Sequence, residues 1–278
     1  MTPSLPLCST RDAFRLLAKQ LPQIDSPDAL LYGATAISMH QIENIDPAAV
    51  DAKLQFYADV VRGRVRGSQP QAIVAHLHEL LFEEEGFTGD TDDYYNPANS
   101  YLPMTLETKR GLPITLSLIY KIVAERLGLR VWGVGLPGHF LCGMDVDGSV
   151  MLIDPFNQGR MLTQDEAMDR MRDVMGQEVE WSEDMLQPVP NKHWLTRMLQ
   201  NLLNIFGAAG HYADVAAMLE MEMVLWPEQD RLQRDLALVL ARIGMSQPAS
   251  AWLNKYLRNN PDDPQKTDLR QLLQVLGT

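Results

Sequence analysis

The chain has 278 residues, 46% hydrophobic and 22% charged, a balance that excludes a disordered polymer and suits one large domain or two ordinary ones. A formal net charge of −12 excludes a surface built for phosphate backbones, which needs clustered Lys and Arg. Two cysteines, Cys8 and Cys142, are too few for a disulfide framework and stand at no metal-ligand spacing.

The opening "MTPSLPLCSTRDAF" has neither a positive n-region nor a sustained apolar h-region, so no signal peptide is expected. The most apolar run, "PITLSLIYKIVA", is interrupted by Lys121 and falls short of the roughly 20 residues of a membrane span. A cytoplasmic protein is therefore expected, with no membrane, nucleic-acid, metal or cofactor partner.

The first hundred residues read as helices. Ser26-Pro27 starts one, with Leu30, Ala34, Ile37 and Ile42 along its stripe. Asp46 as N-cap and Pro47 at N1 start a second, faced by Val50, Leu54, Tyr57 and Val61. It runs into "RGRVRG", whose Arg62, Arg64 and Arg66 read as a solvated helix end, where cations are favourable. "QPQAIVAHLHELLF" is a third. Its His76 and His78, two positions apart, point away from each other and cannot share a ligand.

"EEEGFTGDTDDYYNPANSY" then reads as a solvated acidic loop. Asp90, Asp92 and Asp93 lack the glycine and closing glutamate of a calcium loop. "GLPITLSLIYKIVAERLGL" predicts a helix from Pro113 to Gly128, followed by a β-prone "RVWGVGL".

"PGHFLCGMDVDGSVMLIDPF" predicts two antiparallel strands about an Asp147-Gly148 turn, with His139 on one and Asp154 on the other. In that register Val146 faces Ser149 and Leu141 faces Asp154. His139 is then a same-face diagonal neighbour of Asp154, about 7–8 Å away by Cα. A carboxylate so placed fixes the tautomer of an imidazole and leaves its second nitrogen for chemistry. Cys142 is three positions from His139, on the opposite face, and reads as a small buried hydrophobe.

The last eighty residues repeat. Arg197 to Asp230 aligns with Arg231 to Pro264 at a period of 34, matching Leu202 with Leu236, Gly210 with Gly244, Ala217 with Ala251 and Pro227 with Pro261. That period and punctuation resemble a tetratricopeptide repeat. Two units are few for a free solenoid, so they are expected to dock on the preceding domain. Met221, Met223, Trp226 and Trp252 at helical spacing are expected mainly in its core, with a partner groove as the lesser reading.

"NPANSYL", "GLPITLSLIY", "PGHFLCGM" and "LIDPFNQGRML", in this order over residues 25 to 175, resemble the bacterial SirB family of transglutaminase-like proteins. The resemblance implies an α+β, predominantly helical molecule. A transglutaminase-like (papain-like) core with a small antiparallel sheet occupies 1–190, comprising a helical part at 1–100 and the core at 101–175. A tetratricopeptide-like array follows at 191–278. It also implies site positions at Gly111, His139 and Asp154. The nucleophilic cysteine of active relatives, which a helix N-terminus and a histidine would activate, falls on Pro113. Thr115 and Ser117 are the nearest hydroxyls, and Thr115 reads as a first-turn residue bonding the backbone. The expectation is a catalytically degenerate module that binds a protein or peptide, with the regulatory setting that the resemblance implies. The alternative is a hydrolase or amidase using His139 and Asp154 with a non-standard nucleophile.

Overall fold

Helix starts fall where capping chemistry puts them. In the computed structural model, which describes residues 4–67, 69–146, 149–175 and 182–277, α1 (Arg11–Gln20) precedes α2 (Pro27–Ser38) and α3 (Pro47–Arg64). Ser26 Oγ accepts from the Ala29 N–H at 3.1 Å, and Asp46 Oδ1 from the Ala48 N–H at 2.9 Å. Each satisfies one donor that the first helical turn leaves unpaired. α4 (Pro70–His78) widens into a π-turn over Glu79–Glu84. There Glu84 takes Arg64 in a bidentate pair at 2.5 and 2.8 Å, while Arg62 pairs with Asp59.

The acidic loop folds on itself: Asp90 Oδ1 accepts from the Asp93 N–H at 3.0 Å, and Asn99 Nδ2 donates to Asp93 O at 2.8 Å. A two-residue parallel pairing of β1 (Thr88–Gly89) with β2 (Arg110–Gly111) brackets α5 (Leu102–Thr108). α6 (Pro113–Arg126) is buried from Pro113 to Ala124, as its all-round apolar sequence requires. Its one interior cation, Lys121, reaches Glu125 at 2.5 Å.

Four antiparallel strands pack beside α6 in the order β3 (Val131–Val134), β4 (Leu141–Val146), β5 (Ser149–Asp154), β6 (Arg160–Leu162). Val146 pairs with Ser149, Met144 with Met151 and Cys142 with Ile153, the register of a two-residue connection. The connection itself, Asp147 and Gly148, lies outside the described residues. One expectation is corrected: His139 is not in a strand. β4 begins at Leu141, because Pro137 cannot join a ladder and Gly138 takes φ +70° in a turn that the His139 N–H closes onto Leu136 O at 3.2 Å. α7 (Gln164–Met175) follows β6.

The remaining helices are α8 (Asn191–Ala209), α9 (Tyr212–Leu225), α10 (Asp230–Arg242), α11 (Ser246–Asn259) and α12 (Lys266–Leu276). The 34-residue period seen in the sequence recurs in the backbone. Gly210 and Gly244 have φ +74° and +81°, His211 and Met245 have φ/ψ −82/66° and −83/63°, and Trp226 and Asn260 have −128/64° and −125/67°. The His211 N–H returns to Phe206 O and the Met245 N–H to Leu240 O, both at 2.9 Å.

The larger of two apolar clusters holds residues on both sides of residue 190, from Ala13 to Leu269, and a smaller one gathers Val134, Leu136, Leu141, Leu152, Leu162 and Ala167. α8 docks closely on α2, where a Cβ at Gly33 would fall 2.6 Å from Leu195 Cδ1. The chain start closes over α9: the buried carboxylate of Glu220 accepts from the N–H groups of Leu7, Cys8 and Ser9 and from Ser9 Oγ. Met221 and Trp252 are buried, and Trp226, partly buried, donates Nε1 to Thr196 Oγ1 at 2.7 Å. Among the described residues no helix is long and apolar enough to cross a membrane.

Candidate functional site

The turn before β4 and the end of β5 bring His139 against Asp154. His139 Nε2 lies 3.0 Å from Asp154 Oδ2, both side chains buried. Asp154 is held from several sides. Its Oδ1 accepts from the Asn157 N–H at 3.2 Å, and its Oδ2 accepts from Asn157 Nδ2 at 2.8 Å and lies 3.3 Å from Arg170 Nη1. The local sequence explains the first bond, since Asp-Pro starts the tight turn Pro155–Asn157 that Asp154 caps. Burial alone would raise the Asp154 carboxyl. The His139 hydrogen bond and charge, the Asn157 amide and the Arg170 guanidinium outweigh it and hold the group below its ordinary value. Asp154 is thus an anion that orients the imidazole, and His139 Nδ1 makes no hydrogen bond to a described residue.

A cavity of about 190 Å³ opens beside the imidazole, lined by Tyr94, Pro113, Ile114, Gly138, His139, Phe140, Arg197 and Asn201. The N-terminus of α6, the turn before β4, the acidic loop and one face of α8 therefore meet there. Pro113, at N1 of α6, shares the cavity with His139. No serine, threonine or cysteine is among its lining residues.

Each alternative nucleophile lies elsewhere. Cys142 is fully buried in the main core, its Sγ 3.4 Å from Ser117 O, and burial pushes its thiol up to about 12. Cys8 is raised to about 11 by burial first and by the nearby Glu220 and Asp214 charges. Ser117 is fully enclosed and donates to Phe140 O at 3.4 Å. Thr115 is also enclosed, but the expected backbone bond is not made: its Oγ1 has no partner among the described residues. Gly111 has an evident packing role, since a Cβ there would stand 2.7 Å from Thr105 Cγ2.

Arg197, Asn201, Tyr94 and Arg170 escaped the sequence reading. Arg197 matched Arg231 in the 34-residue alignment, yet Arg231 is an exposed partner of Asp235 while Arg197 turns into the cavity. Nothing in one sequence separates the two. Asn157 was within reach, because Asp-Pro-x-Asn is a turn signal in which the Asp side chain receives backbone donors.

A second cavity of about 380 Å³ continues along α8. Asn204, Ile205, Phe206, Ala208 and Ala209 form its floor, with Tyr95, Pro97 and His211 at its edge. Positions 197, 201, 204, 205 and 208 lie on one helical face, so the two cavities open on the same side of α8.

The profile described as "Transglutaminase-like superfamily" matches residues 48–200. A UPF0162 protein of Xylella fastidiosa (strain 9a5c) is 32% identical over 236 residues, which is 84% of this chain and 84% of the relative. One of Haemophilus influenzae is 26% identical over 205 residues, 73% of this chain and 76% of the relative. Mouse F-box only protein 21 is 30% identical over 167 residues, covering 56% of this chain and 26% of that protein. No solved structure matches the chain. With more than half of the chain under that profile, the chain belongs to the transglutaminase-like superfamily.

Proposed function

We propose that this protein is a catalytically degenerate transglutaminase-like module, of the SirB type, that binds a peptide segment of a partner protein. The observation that carries the reading is Pro113. It occupies the helix start beside the His139–Asp154 pair, where acyl transfer through a thioester needs a thiol. Proline is comfortable at N1 and offers no nucleophile. The two cysteines the chain does have carry thiols raised to about 11 and about 12, far from an available thiolate.

The groove that remains is suited to binding. It has a polar end at His139 and Arg197 and an apolar end at Tyr95 and Ile205. That combination, a concave apolar wall with a few polar groups, is what peptide and small-molecule sites use. The C-terminal helical hairpins, tetratricopeptide-like in their period, supply α8 as the groove's floor.

Selection from a displayed peptide library, followed by calorimetry with the selected peptides, tests this. Peptides enriched on the wild-type chain are expected to lose about tenfold or more in affinity against Ile205→Glu, which puts a charge into the apolar end. They are expected to be recovered intact after long incubation with the protein. Peptides that bind Ile205→Glu equally well would refute the groove, and cleaved or amine-exchanged peptides would refute the degenerate reading.

A further inference from the structure

The small cavity gathers cationic and donor groups without an internal anion to meet them. The Arg197 guanidinium is half-buried and makes no ion pair among the described residues. Its Nη2 donates to Leu136 O at 3.0 Å and His139 O at 3.2 Å, and the remaining N–H groups are unspent. It is seated by design of the backbone: a Cβ at Gly135 would fall 2.3 Å from Nη1, and the Phe140 ring lies 5.1 Å under Cζ. At α6 the Thr115 and Leu116 N–H groups return to Leu112 O, whereas the Ile114 N–H makes no backbone bond, so the positive end of the helix opens on the same space. The Asn201 amide and His139 Nδ1 complete the lining. Asp154 stands behind the imidazole on the Nε2 side and is engaged by Asn157 and Arg170.

We infer that this cavity is a carboxylate-binding site, in which Arg197 takes the anion together with the Ile114 N–H and the Asn201 amide, beside His139. A half-buried guanidinium without a counter-ion is poised for one from a ligand, and carboxylate is the anion that its planar fork matches in two parallel bonds. The inference deepens the peptide-binding reading and rests on it: the bound segment presents a carboxylate at Arg197 while neighbouring residues lie along α8.

The test uses the full wild-type chain with nitrogen-labelled histidine and three probes. N-acetylglycine carries an α-carboxylate, N-acetylglutamic acid α-amide a side-chain carboxylate, and N-acetylglutamine amide none. At least one carboxylate probe is expected to move the His139 resonances and to bind at least tenfold more tightly than the uncharged amide. Which of the two acids wins identifies a chain terminus or an acidic side chain as the source. Arg197→Gln should abolish the shift and Arg197→Lys should weaken it, since an ammonium keeps the charge without the fork. Should Arg197→Gln not fold, the acid-against-amide comparison on the wild type decides alone. Equal binding of acid and amide, or no shift with any probe at tens of millimolar, overturns the inference. Library peptides that bind the groove without any carboxylate would overturn it too while leaving the peptide-binding reading intact.

Discussion

Gly135 and Arg197 are fitted to each other: a methyl group at position 135 would stand 2.3 Å from the guanidinium Nη1 and 3.0 Å from Val189 Cγ2. The space for the cation is therefore written into β3's exit, far from α8 in sequence. Gly135→Ala should displace the guanidinium from the Leu136 and His139 carbonyls and cost about 1–3 kcal/mol of stability through those lost hydrogen bonds to a charged group. Chemical denaturation measures the cost, and the His139 resonances report the displacement. An unchanged spectrum and midpoint would refute the fit.

Asp154 should make the molecule sensitive to acid. Its folded-state carboxyl lies below its ordinary value, so its contribution is present above the ordinary carboxylate range and is lost as pH falls through the lowered folded value. Asp154→Asn removes the charge facing His139 and Arg170 and is expected to destabilise by about 3 kcal/mol at neutral pH. It should also flatten the acid limb of the stability profile. Unfolding free energies of both proteins between pH 7 and the acid transition check the sign; a steeper limb in the variant would contradict it.

His78 adds a second, separate window. Burial lowers its imidazole from 6.5 to about 4, with Nε2 3.0 Å from the Tyr120 hydroxyl and the Phe82 ring 5.3 Å away. The unfolded chain takes up this proton first, so stability is full above the unfolded value and declines on acidification from about 6.5 to about 4. The decline has an upper bound of about 3 kcal/mol. His78→Gln should lose this slope, and a wild type with no slope in that window would contradict the burial argument.

Glu220 ties the chain start to the helical hairpins. Its carboxylate receives the Leu7 N–H at 2.7 Å, the Ser9 N–H at 2.9 Å and Ser9 Oγ at 3.0 Å. Glu220→Gln exchanges an anion for an amide whose NH₂ faces donors, with an expected loss of about 2 kcal/mol. Hydrogen exchange of residues 7–9 should rise well before the rest of the molecule opens. Protection unchanged from wild type would show that the clamp contributes nothing.

What the sequence disclosed follows its local chemistry. Ser26, Asp46 and Pro113 announced helix starts because capping depends on near neighbours, and the pairing of Val146 with Ser149 keeps the register read from the sequence, which carries Asp154 toward His139. The 34-residue period survived into backbone torsions at Gly210 and Gly244. Long-range partners stayed hidden. Arg197 has the same pattern as exposed Arg231, and only the packing of α8 against Gly135 and the β4 turn makes it a cavity residue. The placing of His139 in a strand failed for a local reason, the stop imposed by Pro137 and Gly138.

The most direct test of the central claim is the alkylation rate against pH of the variant Pro113→Cys, measured with and without His139→Ala. If Pro113 fills the nucleophile position of a site otherwise intact, the introduced thiol sits at a helix N-terminus beside His139 and alkylates rapidly near pH 6. It should slow markedly when His139 is removed, while Cys8 and Cys142 remain inert in every variant. A new thiol that titrates near 8.5, as a free cysteine does, and ignores His139 would contradict the account.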